Sequence, residues 1–599
     1  MSSFMDEASD YILARVLDTL LREDVQQMAR RGRRLAAGSA ELEGLEAADD
    51  GGDWWLLEHL AAGRLWIPVQ ASRFMQPWRY RAGPVIAQPA GTGECRRLAD
   101  CDALLAWLSS GLAATERAHY EDFAAECRAA VEQGRCCKQA QQAYFEQCLE
   151  GRSTGLHELP GWTRRFLHYD RLASYLDHPY YPTARAKAGF SVADLERYAP
   201  EFQPRFALRW LAVPRSLYTA NQPDEPDWKP GFARVGLSAS LAPDYRLVPV
   251  HPFLWGETLT RLLHETGLEQ QVIRAPQACV EVVPTLSVRS LVLLERPDTH
   301  IKLPLTIRTL GSRNIRTVKP STIDDGQRVQ TLLGALARQD ERLRGRLLLT
   351  DESRGAHVDG QSFLGYIQRR YPQEAREGTL VSVAGLLAVT PTGERVFEEL
   401  SARFYQGDTL AFLRHYLELT FAVHVTLWLR YGIALESNQQ NSMLLFGPGA
   451  GRMRLLLKDN DAPRIDRQQL AARWPELYRH VEGLQDLRIW SQDALALGQM
   501  FTTICLQLNL APLIEGMAER GHGERGALYG LLRQALEASL AALPGEDASG
   551  LRALLLEDEH LYAKYLLTAG TLQSKARSGA ADINKFYGKS APNFLREAP

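Results

Sequence analysis

Between Pro284 and Arg313 the chain sets Ser287, Arg289, Ser290, His300, Lys302 and Arg313 on or beside apolar segments that read as strands. Leu291–Leu294 supplies an apolar partner run, and Arg296-Pro297-Asp298 reads as the turn. Planar guanidinium forks, a point-charge ammonium and short hydroxyl donors on a rigid hairpin are what polyphosphate oxygens require. A surface hairpin with solvated charges fits the same residues. A second cluster, Glu436-Ser437-Asn438-Gln439-Gln440-Asn441, lies after a helical run, and a following apolar hairpin ends in Lys458-Asp459-Asn460-Asp461. Glu436, Gln440, Asn441 and Asp459 offer oxygens to a hard cation such as Mg²⁺, which takes few protein ligands beside phosphate. A polar helix cap followed by solvated carboxylates is the competing reading.

A third cluster runs from Asp177 to Phe190, where Pro179 and Pro182 favour extended backbone. If the extension continues, Arg185 and Lys187 face one way, and His178, Thr183, Arg185 and Lys187 can meet an anionic substrate. A structural loop fits equally well. His251, at the end of Val248-Pro249-Val250, suits a hydrogen-bonded core histidine better than a catalyst. Lys575, Arg577, Lys585 and Lys589 make a basic tail, solvated or closing over a phosphate. The P-loop, Rossmann, G-x-S-x-G and H-E-x-x-H patterns are all missing, so a nucleotide site here is of another kind.

The elements that must position these groups fall into three stretches. Residues 1–155 show helical spacing in Ala8–Arg34 and Ala113–Leu149, with short strands between Trp54 and Ile86. Residues 156–375 are strand-rich, with Phe206–Val213, Arg246–Val250, Ala278–Val283 and Ser290–Leu294 as the clearest strands. Residues 376–599 are mostly helical, interrupted by Ser442–Phe446 and Met453–Leu457 around a glycine-rich turn. The 599 residues and net charge of −3 suit two or three domains and argue against a general nucleic-acid binder. Eight scattered cysteines form no C-x-x-C pair, which points to reduced thiols. The segment Leu417–Leu435 is interrupted by Glu418, His424 and Arg430, and no basic leader opens the chain, so a cytoplasmic location without membrane span is expected.

In order and spacing these clusters resemble the NRPS-independent siderophore synthetases, the aerobactin-synthetase-like IucA/IucC family. Asp177–Gly189 looks like its G-H-P-x-H-P-x-x-K-x-R-x-G segment, and Pro249–Pro252 like its P-V-H-P segment. Ser287, Arg289, Ser290, Lys302 and Arg313 match its S-x-R-[ST] and following basic positions, Glu436–Asn441 its E-x-H-G-Q-N, and Lys458-Asp459 its R-D pair. The resemblance covers roughly residues 160–590. It implies an α+β fold shaped as a cupped hand: a mostly helical thumb (1–155), β-rich fingers (156–375) and a mostly helical palm (376–599). ATP would lie between fingers and palm. The implied reaction adenylates a carboxylate of citrate or a related acid, releases pyrophosphate, and condenses the adenylate with an amine or alcohol. Dimers are common in the family.

On this resemblance Ser287, Arg289, Ser290, Lys302, Arg313, Gln440 and Lys575 bind the nucleotide, and Glu436, Gln440 and Asp459 hold Mg²⁺. His178, Tyr181, Thr183, Arg185, Lys187 and Asn438 contact the acid, with Arg313, Asn438 and Lys302 closest to the chemistry. Four positions depart from the family pattern. Asn438 replaces a histidine and cannot carry a proton, Tyr181 replaces another, and Arg185 and Lys187 are exchanged. A citryl derivative or 2-oxoglutarate is therefore an alternative acid. Other readings are a kinase-like phosphotransferase, a non-catalytic nucleotide-binding scaffold, and a ferric-siderophore binding or reductase protein, the last opposed by the cysteine count.

Overall fold

The computed structural model describes residues 2–43, 45, 51–152, 158–311, 314–447, 452–491, 493–574 and 586–596, with backbone alone for 2–6 and 494. The first helix, Ser2–Arg22, buries Ile12, Leu13, Val16, Leu17 and Leu20 along one stripe, the spacing an amphipathic helix needs. It packs on the long helix Ala114–Leu149 and on an antiparallel sheet. That sheet is built from β1 (Arg33–Leu35), β2 (Asp53–Leu60), β3 (Gly63–Ala71), β4 (Trp78–Tyr80), β5 (Val85–Pro89) and β6 (Arg96–Leu98), in the order β1-β2-β3-β5-β6 with β4 on β3. β2 lacks polar alternation because both its faces are covered: Trp55 and Leu57 enter one core, Trp54 and Leu56 another.

A nine-stranded sheet follows. Its strands are β7 (Phe206–Pro214), β8 (Tyr218–Ala220), β9 (Tyr245–Val250), β10 (Ile273–Arg274), β11 (Cys279–Pro284), β12 (Ser290–Leu293) and β13 (Arg296–Lys302), then, after β14 (Leu347–Leu349), β15 (Asp351–Val358) and β16 (Gly365–Arg370). The order is β10-β7-β11-β12-β13-β16-β15-β8, with β9 on β7. The expected turn at Arg296-Pro297-Asp298 is corrected: Leu294-Glu295 turns the chain, and Arg296 already pairs with Leu293. Pro297 is tolerated because β16 joins β13 only from Thr299 onward.

β14 leaves this sheet and pairs in parallel with β20 of a four-stranded sheet ordered β14-β20-β19-β17. The other members are β17 (Thr379–Ser382), β19 (Ser442–Phe446) and β20 (Met453–Leu457), while β18 (Ile433–Ala434) belongs to a separate small sheet. β14 thus joins the β19–β20 hairpin from before residue 376. Helix Thr409–Tyr431 is apolar on nearly all sides and lies in the main core. One helix, Leu495–Glu519, is apolar and long enough to cross a membrane by length and composition, and 89% of its apolar window is buried in the protein. Residues Tyr587–Pro592, expected in a basic tail, pair as a strand with His560–Lys564.

Candidate active site

The link from β11 to β12 is a tight turn. The Thr285 N–H donates to the Ser290 carbonyl at 2.9 Å, the Val288 N–H to the Thr285 carbonyl at 2.8 Å, and the Ser290 N–H to Ser287 Oγ at 3.2 Å. Val288 sits at φ 64, a conformation that costs a β-branched residue about 1–2 kcal/mol. Its buried side chain, packed with Phe190, Leu305 and Ile307, opposes that cost, and Asp170 Oδ2 accepts the Leu286 N–H at 2.6 Å. Ser287 and Arg289, on either side of Val288, line a cavity of about 980 Å³. Arg289 donates to the Thr317 carbonyl, and burial, then repulsion from Arg316, brings its pKa down to about 9. Ser290 Oγ is buried without a hydrogen-bond partner, directly across the ladder from Lys302.

Below this turn lies a buried charge lattice. Lys302 Nζ is 2.6 Å from Asp459 Oδ1 and 3.7 Å from Asp461, and Arg369 reaches Asp459 Oδ2 at 2.6 Å and Glu352 at 2.8 Å. Asp459 takes a left-handed φ of 55, and its N–H donates to the same Glu352 Oε1 at 2.9 Å. Burial, then Arg369, brings Lys458 down to about 8, while burial pushes Asp170 up to about 6.

The Glu436–Asn441 segment is a turn tied to a helix. Asn438 Oδ1 accepts the N–H groups of Gln440 and Asn441, each at 3.0 Å. Asn509 Nδ2 donates to the Ser437 carbonyl at 2.7 Å, and Gln439 Nε2 to the Asn509 carbonyl at 3.2 Å. Asn509 lies in a π-helical stretch, Phe501–Leu510, where the Ala511 N–H reaches back to the Leu506 carbonyl. Pro512, having no N–H, cannot continue the regular ladder, which favours such a widened turn.

The Asp177–Phe190 segment was expected to be extended, and that is corrected. It folds as compact turns, with hydrogen bonds from the Ala186 N–H to the Thr183 carbonyl and from the Phe190 N–H to the Lys187 carbonyl. Arg185 and Lys187 do share a face, because both reach Glu201 Oε1, at 3.3 and 2.6 Å. His178 Nδ1 accepts the Tyr181 N–H at 2.9 Å, so its proton belongs on Nε2, and burial holds its pKa near 3. His178 is therefore a neutral donor. Tyr181 and Thr183 turn away from the cavity and donate to Glu126 of helix Ala114–Leu149, at 3.2 and 2.5 Å. His251 is buried and neutral, capping a turn through the Phe253 N–H at 3.1 Å.

The cavity thus brings together Ser287, Arg289, His178, Arg185, Lys187, Asn438 and Gln440. It does not reach Ser290, Lys302, Glu436 or Asp459, which lie outside its lining with Tyr181 and Thr183. Arg313 and Lys575 fall outside the described residues. Among the described residues no group of three or more His, Cys, Asp or Glu side chains is arranged to hold a metal, and both Asp459 oxygens face cations. Glu436, Gln440 and Asp459 thus fit Mg²⁺ only as partial ligands beside phosphate oxygens. The orphaned Ser290 Oγ and the Arg316 guanidinium, which makes no ion pair among the described residues, fit an anion better.

Sequence reasoning missed Arg316, Glu201, Asn509 and the Arg369–Glu352 pair. Only Arg316 had a local signal, as the next basic residue after Arg313 on the same segment. It lines the cavity beside Arg289 and has no hydrogen bond or ion pair from its side chain among the described residues.

Comparison with known proteins agrees with this arrangement. The IucA / IucC family model matches residues 165–388, which carry the Ser287 turn and the Asp177–Phe190 loop. Staphyloferrin B synthase of Staphylococcus aureus is 23% identical over 452 residues, 71% of this chain and 76% of that one. Over residues 165–388 the chain is similar to the IucA/IucC family. Its fold matches the petrobactin biosynthesis protein AsbB of Bacillus anthracis, with TM-score 0.73, 18% identity and coverage of 99% and 97%. The ATP-bound aerobactin synthetase IucA of Klebsiella pneumoniae matches with TM-score 0.66, 16% identity and coverage of 99% and 100%. A second model, the ferric iron reductase FhuF-like transporter, matches residues 410–577. Cys505, the single cysteine of that segment, is buried in the π-helical stretch, and an iron–sulfur cluster needs several thiolates.

Proposed function

We propose that this protein is an ATP-dependent ligase of siderophore biosynthesis that adenylates a carboxylate of citrate or a related polycarboxylic acid. A carboxylate oxygen attacks the α-phosphorus, the bond to the β-phosphate oxygen breaks, and pyrophosphate leaves with the electron pair. An amine nitrogen or alcohol oxygen then attacks the acyl carbon, AMP departs with the acyl oxygen's electron pair, and the nucleophile's proton passes to solvent. Anions meet in the first step, so neutralisation and alignment carry the catalysis.

The observation that supports this reading is one cavity lined by Ser287, Arg289 and Arg316, with neither arginine in an ion pair among the described residues, and by the Asn438–Gln440 turn. Arg289 and Arg316 meet the phosphates. The His178 Nε2–H and the Asn438 amide donate to the acid, near Arg185 and Lys187. Glu436, Gln440 and Asp459 are the protein oxygens that would share Mg²⁺, which neutralises phosphate charge when bound. The same reading includes thumb, fingers and palm forming a cupped hand, a homodimer and a cytoplasmic location. Because Asn438 departs from the family pattern, a citryl derivative or 2-oxoglutarate is the alternative acid.

ATP–pyrophosphate exchange with citrate, citryl amides and 2-oxoglutarate tests the proposal. AMP and pyrophosphate are the expected products. ADP as the sole nucleotide product indicates a phosphotransferase, and absence of exchange with every acid indicates a scaffold.

A further inference from the structure

The carboxylates on the cavity wall are mostly matched. Asp177 meets Tyr11 and Arg185, Glu201 meets Lys187 and Arg185, Glu515 meets Arg525 and Tyr529, and Glu519 faces Arg79. Asp18, on the first helix, has no ion pair among the described residues. Its Oδ1 accepts the Tyr80 N–H at 2.6 Å and Gln76 Nε2 at 3.3 Å, and among the described residues its Oδ2 accepts nothing. Beside it, Gln76 is 5% exposed, its Nε2 is spent on Asp18 and the Trp78 carbonyl, and its Oε1 has no donor. Both residues line the cavity. The loop carrying Gln76 is set by Met75 at φ 62, an uncommon conformation for a non-glycine residue.

Two adjacent acceptors without donors call for a group that only donates, and an ammonium with three N–H bonds is that group. We propose that Asp18 and Gln76 form a subsite for a protonated amine: the second nitrogen of a diamine whose first nitrogen attacks the activated acid. The inference rests on the ligase reading and assigns its nucleophile class. The subsite holds the distal nitrogen because the largest charge effects on Asp18 come from Arg22, Arg79 and Arg15, not from Arg289 or Arg316 at the phosphate wall.

Those three arginines do not remove the need for a cation. Arg15 donates to the carbonyls of His178, Tyr181 and Pro182, and Arg22 to that of Tyr180. Burial outweighs their attraction, so the Asp18 carboxyl stays above its ordinary range. Positive charge placed against it is favoured.

The test uses the full-length enzyme with 1,4-diaminobutane, butylamine and 4-aminobutanol as nucleophiles, after exchange has identified the acid. Wild type is expected to prefer the diamine by at least about tenfold in kcat/KM, the scale of one charge-assisted contact. D18N, which keeps an oxygen for the Tyr80 N–H, is expected to erase that preference. Equal use of the three nucleophiles by wild type, or an unchanged preference in D18N, overturns the subsite, and the first of these does not depend on a variant folding. Calorimetric titration of wild type with 1,4-diaminobutane and with butylamine covers the case in which no acid supports exchange. There the ligase reading fails, while tighter diamine binding still supports the subsite and equal binding rejects it.

Discussion

Arg289 and Arg316 line the same cavity and neither makes an ion pair among the described residues; burial and Arg316 work against the Arg289 charge, and Asp459 and Asp461 attract it. Such an arrangement is unfavourable until an anion arrives. R289A and R316A are each expected to lower kcat/KM for ATP–pyrophosphate exchange by about 10–100-fold, the loss of a charge-assisted contact of about 1.5–3 kcal/mol. Because like charges are being removed, neither variant should melt earlier than wild type. A lower melting temperature with unchanged exchange contradicts the assignment.

Lys302 is expected to behave differently, although the sequence groups it with Arg289. Its ammonium is buried against Asp459 and Asp461. K302A strands two buried carboxylates beside Arg369, and breaking a buried pair costs about 3–5 kcal/mol. Urea unfolding is expected to show a loss of that order as well as lost exchange. A fully stable K302A enzyme would mean that Arg369 and Lys458 suffice to neutralise the lattice.

Asp170 gives the pH dependence a sign. Burial raises its folded pKa to about 6 from an ordinary value of 3.8, so the native state holds the proton more tightly than the unfolded chain. Its contribution is therefore largest below about pH 4, declines as pH rises toward 6, and stays lost above, a span of about 3 kcal/mol at 1.36 kcal/mol per unit. D170N retains an acceptor for the Leu286 N–H and lacks the titration. The difference in stability between D170N and wild type is expected to grow in favour of D170N between pH 4 and 6. A flat difference across that window rejects the linkage.

How far the sequence could be read differs by element. β7, β9, β11, β12, β19 and β20 were legible because apolar runs bounded by turn residues fix short strands. The β2 strand was legible only as part of the strand region between Trp54 and Ile86, and its own bounds were not, since two covered faces erase alternation. Ser287, Arg289, Arg185, Lys187 and Asn438 could be picked out because residue type and order carry their resemblance. Glu201, Asn509, Asp18 and Gln76 could not, because each acts through partners brought near by tertiary folding: the Asn509 amide bonds a carbonyl 72 residues away. Side-chain direction was the weakest inference. Tyr181 and Thr183 share a segment with Arg185 and Lys187 but face Glu126, since compact turns replace the extended backbone on which a common face depended.

Tyr181 can be tested directly. Its hydroxyl donates to Glu126 away from the cavity, so Y181F should leave the KM for the acid within about twofold and cost stability only on the scale of one hydrogen bond, about 1 kcal/mol. A rise in acid KM of tenfold or more, with ATP KM unchanged, would return Tyr181 to the acid pocket.

Asn438 separates shape from charge. Its carbonyl oxygen caps the turn by accepting two backbone N–H groups, while its amide nitrogen makes no hydrogen bond within the described protein and lines the cavity. N438A removes the cap and is expected to destabilise the fold by about 1–2 kcal/mol, as lost caps do. N438D keeps the acceptor and replaces the donor with a negative charge facing an anionic substrate. It should therefore melt near wild type while the acid KM rises at least about tenfold, one lost and one repulsive contact each costing about 1 kcal/mol or more. ATP KM should move less, because Arg289 and Arg316 are untouched. If ATP KM rises as much as acid KM in N438D, the Asn438 amide faces the nucleotide and the acid lies elsewhere in the cavity.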